Sequence, residues 1–436
     1  MALRAPSPSM DQLKTFKEKP PLFAAIEAND LVRVSQLIEE DKRVVATKCL
    51  GFLPIHFAVE LAAYHIVKEL LQQGASPYSR APDQMTPLSR AAEKGFTDIR
   101  DILQQHEVKI TEYNRAAMVG DLPTVANLLS KAGKMDTRAK DGYTPFLRAA
   151  HFGFTAIAEY LLDQEVADIE EKTSKKGYTA LNLATRQGHV RMLVMLLSKG
   201  ARVDDKARDG YTPLLRAVQW LNSKSQGRQQ EHCRFTAIVE HLLDHGTNIE
   251  EKTPGGNTPL MLAANGGFSR IIKMLLSKGA RVDTKNKQGF CPLTAAARRR
   301  HTEVCELLLA NGSDPEVMWP RPMIPLLHRA AGTGYPSLIQ LLLSYKGNIN
   351  LMDRLGGTPL LCACQQGQVA CVKTLLQAGA DPMLPDIQGS FPIHIAAQCN
   401  HTEVVRILLE HGCRPDQVIH FILYCHKLKM VHKLRY

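Results

Sequence analysis

Several things are missing from this chain of 436 residues, and each absence removes a class of function. No apolar run approaches the length of a membrane span. The N-terminus, MALRAPSPSM, has no apolar core, so no secretory signal is expected. There is no GxxxxGK[ST] phosphate loop and no HExxH pair. Paired CxxC motifs are absent too, which removes the usual structural zinc site. No catalytic residue, cofactor or metal is expected. Charge of one sign is also not concentrated. The 54 basic and 43 acidic residues leave a net charge of +11, mild for this length. It favours acidic partners and lacks the focused footprint of a nucleic-acid binder. The densest basic run, Arg298-Arg299-Arg300, reads as a solvated helix end, with nuclear import or phosphate contact as the alternative. Ten cysteines are present, eight of them from Cys291 onward. They fall where small apolar residues belong, as at Cys362, Cys364 and Cys371. That usage implies a reducing compartment, the cytoplasm first and the nucleus second.

What is present is a period. Twelve alanines recur at nearly constant spacing: Ala25, Ala58, Ala91, Ala116, Ala149, Ala184, Ala217, Ala263, Ala296, Ala330, Ala363 and Ala396. The steps are 33, 33, 25, 33, 35, 33, 46, 33, 34, 33 and 33 residues. Four residues before the alanine stands a proline in nine copies, preceded by threonine at Thr86, Thr144, Thr212, Thr258 and Thr358. Threonine caps a helix through its hydroxyl, and proline suits the first helical position. Twelve and thirteen residues after the alanine comes an apolar pair such as Leu70-Leu71, Leu196-Leu197 or Leu375-Leu376. Gly-Ala then closes the second helix, and a polar stretch leads to a turn such as Asp141-Gly142 or Asp209-Gly210. The unit is helix, turn, helix and turn, repeated as a solenoid in which each copy is stabilised by its neighbours.

Thr86-Pro87-Leu88, Leu53-Pro54-Ile55-His56 and Phe391-Pro392-Ile393-His394 resemble the Thr-Pro-Leu-His signature of the ankyrin repeat. His56, His328 and His394 fill its histidine slot, which in other copies holds Leu147, Leu215, Met261 or Leu361. The resemblance covers about residues 19 to 415. It implies an all-α repeat solenoid of stacked helix-turn-helix units with β-turn fingers. It also implies a partner surface on the concave side, formed by the fingers and first helices.

The departures from the period define the expected organisation. Residues 1–18 are expected to be a flexible tail and 19–111 to hold repeats 1–3. The 25-residue step lacks a finger, with Glu112 in place of the helix-starting proline, so a break or bend is expected before repeats 4–12, residues 112–415. Residues 142–209 and 210–288 look like a tandem duplication. Ile169-Glu-Glu-Lys-Thr173 recurs as Ile249-Glu-Glu-Lys-Thr253, and the alignment places an inserted polar loop at about 221–234. That loop is either a tolerated insertion or a partner contact. Residues 416–436 are expected to cap the stack and end in a basic tail.

Three consecutive fingers carry tyrosine at their base. With neighbouring positions they define an expected partner patch of Tyr143, Phe152, Tyr178, Arg186, Tyr211 and Trp220, residue types enriched in binding hot spots. The alternative is that the tyrosines only pack along neighbouring fingers. Arginines directly before the anchor alanine, Arg90, Arg115 and Arg148, form either a strip for an acidic partner or stems laid on apolar surface. The leading functional expectation is a non-catalytic adaptor or scaffold that binds other proteins. Two alternatives are a ubiquitin-ligase substrate receptor, though no SOCS box is recognised, and a basic-surface binder of nucleic acid or membrane.

Overall fold

The computed structural model describes residues 10–413, apart from 17, 78, 84, 133–137, 140, 225–228 and 321–322. Among the described residues there are 24 α-helices, arranged as helix pairs with short fingers between them, an all-α repeat solenoid. The chain forms two compact units, Met1–Pro213 and Leu214–Tyr436.

The period explains the packing in each unit. All twelve anchor alanines are buried, none exposed by more than 6%. Within a unit, first helix packs on first helix, as Pro145–Phe152 does on Ala180–Gln187 and Pro259–Gly266 on Pro292–Arg298. Alanine at the crossing lets the backbones approach, and a longer side chain there would overpack a close-fitting interior. The threonine caps form as expected. Thr86, Thr144, Thr258 and Thr358 accept from the backbone N–H three residues on, at 3.2 to 3.3 Å, and Thr179 does so without a following proline.

At His56 the histidine slot works through both ring nitrogens. His56 Nδ1 accepts from Leu53 N at 3.2 Å, and its Nε2 donates to Ser79 O at 3.0 Å. His328 Nε2 reaches Gly357 O at 2.8 Å. Asn182 occupies the same slot and supplies the equivalent donor, Nδ2 to Asp205 O at 3.0 Å. A short polar side chain can therefore replace the imidazole in reaching the next finger, while Leu147, Leu215, Met261 and Leu361 fill the same slot with apolar packing.

The duplicated segments reproduce their contacts. Glu170 accepts from Arg202 N at 2.7 Å and its counterpart Glu250 from Arg281 N at 2.8 Å. Lys199 pairs with Asp163 and Lys278 with Asp244. Equal sequence in equal register gives equal local geometry.

The irregularities take three forms in the structure. First, a single 23-residue helix, Thr97–Val119, runs through the short step where the finger is missing. With eight residues missing there is no chain left for a finger, and no glycine or proline interrupts the helix before Gly120, which ends it at φ 83°. Second, the described residues of the insertion at 221–234 are helical. It lengthens the first helix to Pro213–Lys224 and the second to Gln229–Asp244. Leu221 is buried, and Asn222 Nδ2 donates to Leu262 O at 2.8 Å, so the extension is anchored rather than free. Third, the N-terminal segment is not a loose tail throughout. Met10–Thr15 is a helix whose Met10 and Leu13 enter the core. Residues 1–9 and the expected cap at 416–436 lie outside the described residues. One finger also takes a different form: Met318–Pro320 and Met323–Pro325 pair antiparallel, with Trp319 opposite Ile324.

Candidate functional site

In the first unit the fingers are tied to one another. The Tyr178 hydroxyl donates to Asp209 Oδ2 at 3.1 Å, while Asp209 Oδ1 accepts from Tyr211 N at 3.2 Å. Arg138 Nη1 donates to Lys172 O at 2.6 Å, and Lys172 in turn pairs with Asp205 at 2.8 Å. These cross-links hold the finger bases as a surface of fixed spacing.

The expected patch divides on this surface. Tyr178 is only 5% exposed, and the Arg186 guanidinium covers its ring at 5.6 Å. It is a packing residue between fingers and not a contact offered to a partner, because its hydroxyl is already satisfied by the next finger. Tyr143 and Tyr211 are half-buried. Arg148 lies over the Tyr143 ring at 5.0 Å, within cation–π range. Phe152 is 41% exposed. Its neighbour His151 packs edge-on to both Tyr143 and Phe152, with ring centroids 5.9 and 4.8 Å away, and Gln187 Nε2 lies 3.3 Å from His151 Nε2. Burial lowers the His151 pKa, and the Arg186 and Arg148 charges lower it further. The imidazole therefore stays neutral amid two cations. Tyr143, His151, Phe152 and Gln187 form one cluster, with Phe152 and Gln187 exposed and Tyr143 and His151 half-buried, and His151 and Gln187 were not among the expected binding residues. Trp220 belongs to the second unit, where it is half-buried and stacks on Phe235 with centroids 4.0 Å apart.

The arginine strip does not form. Arg90 is 5% exposed and is held by Glu60 at 3.3 Å and by Asp83. Glu60, itself buried, also binds Lys14 at 2.8 Å and Lys94 at 2.7 Å. A guanidinium already enclosed by two carboxylates has no face for an acidic partner. Arg115 is exposed, and Arg148 is engaged by Tyr143 and Asp141. Of that series Arg148 is instead a partner of the tyrosine series, at Tyr143, as Arg186 is of Tyr178. In the second unit Arg298 lies over Phe290, Arg300 over Tyr335 and Arg329 over Trp319, at 5.0, 5.0 and 5.2 Å.

A second histidine position escaped the sequence reading. His189, His301 and His401 stand five residues after their anchor alanines. Each donates from Nε2 to a carbonyl of the preceding repeat, at His151, Asn265 and Gln365, over 3.0 to 3.2 Å. Each ring also lies over a glycine, Gly153, Gly267 or Gly367, where a Cβ would come within 2.6 to 2.7 Å of a ring atom. The signal was legible as a glycine in one repeat matched by a histidine in the next.

Among the described residues no group of three or more His, Cys, Asp or Glu is placed to hold a metal, and no helix is long and apolar enough to cross a membrane. Burial pushes the Cys305 and Cys362 thiols up to about 12, which keeps them protonated.

Comparison with known proteins identifies the repeat. The family pattern described as ankyrin repeats (3 copies) matches residues 113–207, 230–318 and 327–419, and a single ankyrin repeat matches 50–81. The chain is 27% identical over 413 residues to the human transient receptor potential cation channel subfamily A member 1, covering 83% of this chain and 36% of that protein. It is 29% identical over 433 residues to an ankyrin repeat and KH domain-containing protein of Caenorhabditis briggsae, covering 91% of this chain and 13% of the relative. The chain thus spans only a minor part of these relatives' lengths. The solved ankyrin repeat domain of Bcl-3 aligns with TM-score 0.45 and 24% identity, over 54% of this chain and 99% of that one. The ankyrin repeat patterns cover well over half of the sequence, and the chain belongs to the ankyrin repeat family.

Proposed function

We propose that this chain is a non-catalytic adaptor that captures another protein on the finger and first-helix side of its fifth and sixth repeats. The observation that carries the reading is the exposed Phe152, set on a rigid helix beside His151, Gln187 and Tyr143. An exposed aromatic ringed by polar groups on a pre-organised surface is the usual composition of a binding hot spot. The cation–π pairing of Arg148 and Tyr143 reduces the ordering cost of binding, since both side chains are already placed. The nine described cysteines carry no disulfide, which supports a reducing compartment, the cytoplasm or secondarily the nucleus.

The test is capture of partners by the intact chain and by a Tyr143→Ala, Phe152→Ala double variant with unchanged helicity. Loss of a specific partner from the variant supports the reading. An identical partner set, bound equally well, removes the cluster as the recognition site.

A further inference from the structure

A cleft of about 230 Å³ opens in the second unit between the first helices of the ninth and tenth repeats. Arg298, Arg300 and Arg329 converge on it, and Trp319 and Tyr335 form part of its wall. Each guanidinium is backed by an aromatic face at 5.0 to 5.2 Å. Their hydrogen bonds use few of the available N–H donors. Arg298 donates to Asn265 Oδ1 at 3.0 Å and Arg300 to Thr333 O at 2.7 Å. Among the described residues none of the three forms an ion pair, in contrast to Arg90 with its two carboxylates.

A second observation points the same way. Arg300 stands four residues after its anchor, the position that turns the chain out of the first helix. Its φ is +61°; the same slot holds Gly95, Gly120, Gly153, Gly188, Gly267 and Gly367 at positive φ, and Asn29, Ala62 and Asn400 also take it, so that Arg300 is the one long charged side chain there among the described residues. A long branched-head side chain is disfavoured in the left-handed region. Backbone strain of this kind marks functional sites when the side chain gained is what matters.

We infer that this cleft binds a phosphorylated side chain of a partner protein, and the inference rests on the reading of the chain as a protein-binding scaffold. The volume is below the roughly 300 Å³ at which sites for whole small-molecule ligands begin, and it suits a single side-chain head group. A carboxylate carries one charge, whereas a phosphomonoester carries about −1.5 to −2 and three acceptor oxygens. Three planar donors without a resident acid match the latter. A nucleic-acid backbone would need a stripe of basic side chains along successive phosphates, and this is a compact cluster around one open cleft.

The test titrates the full-length chain into fluorescein-labelled degenerate phosphoserine, phosphothreonine and phosphotyrosine peptide libraries, each beside its unphosphorylated twin, and then adds inorganic phosphate as competitor. At least one phosphorylated library is expected to bind about tenfold more tightly than its twin, the scale of one charge-assisted hydrogen bond. Arg298→Ala with Arg329→Ala abolishes that preference, and Arg299→Ala, outside the cleft, preserves it. Arg300→Gly is the decisive variant. It relieves the backbone, so its urea midpoint should rise while phosphopeptide affinity falls about tenfold, a separation a purely structural arginine would not give. Equal binding of phosphorylated and unphosphorylated libraries overturns the inference. So does full binding by Arg300→Gly, or tighter binding to phosphatidylserine vesicles or single-stranded RNA than to any phosphopeptide. The Phe152 cluster lies in the other unit, so partner capture by the Tyr143→Ala, Phe152→Ala variant fails or succeeds independently of these results.

Discussion

The pairing of Gly153 with His189 allows a stability effect to be worked out in parts. Gly153 ends the helix Pro145–Phe152 at φ 83° and ψ 20°. An alanine in that conformation costs about 1 to 2 kcal/mol from backbone sterics alone. Its Cβ would also stand 2.6 Å from His189 Nδ1, too close for a contact between heavy atoms. The imidazole would have to swing away and give up its 3.0 Å hydrogen bond to His151 O, a further loss of about 1 kcal/mol. Gly153→Ala is therefore expected to cost about 2 to 3 kcal/mol in total. His189→Ala alone should cost about 1 kcal/mol. In the double variant the clash is gone, so Gly153→Ala costs only its backbone part, and the cycle shows a coupling of about 1 kcal/mol. Urea unfolding followed by far-UV circular dichroism measures the four chains. Amide exchange in the helix Thr155–Asp163 reports the same loss locally if unfolding is not two-state. Equal cost of Gly153→Ala with and without His189 would refute the clasp as the reason for the glycine.

Removing Glu60 should be among the most damaging single changes. Glu60→Ala leaves Arg90 buried with Asp83 alone and is expected to cost about 3 to 5 kcal/mol in chemical denaturation. The pH dependence has a defined sign. Burial alone would raise the Glu60 pKa, but Lys14 and Lys94 outweigh it and hold it below the ordinary value of 4.5. Its contribution is complete above that value and is lost as pH falls through the lowered folded pKa, so the acid limb of the urea midpoint should flatten in Glu60→Gln. His56 and His328 are held low by burial, so they are neutral in the fold. Their contribution is complete above 6.5 and erodes as pH falls toward the lowered folded values, and His328→Asn should reduce the loss of stability between pH 6.5 and the acid limb. Among the described cysteines, alkylation of the native chain should modify the exposed Cys233 and Cys399 first, leaving Cys305 and Cys362 protected, as peptide mapping by mass spectrometry would show.

The repeats were legible because each obeys local rules that do not depend on its neighbours. Threonine caps, proline starts and the anchor alanines can be counted along the chain. The errors arose where one repeat answers another. Tyr178 looked like a recognition residue until Asp209 of the next finger was seen to take its hydroxyl. Arg90 looked free until Glu60, 30 residues earlier, was found against it. The short step was legible as a missing finger, but the continuous helix Thr97–Val119 that fills it was not.

The sequence by itself determined the unit, its period and its family resemblance, since these rest on helix capping and apolar spacing within about one repeat. The tertiary structure decided which polar side chains are used up and which are left for partners. It buried Tyr178 and Arg90, kept Phe152 exposed, and brought Arg298, Arg300 and Arg329 around one cleft. The physical reason is that a side chain's availability depends on charges and donors one repeat away. No local pattern records that distance until the helices are stacked.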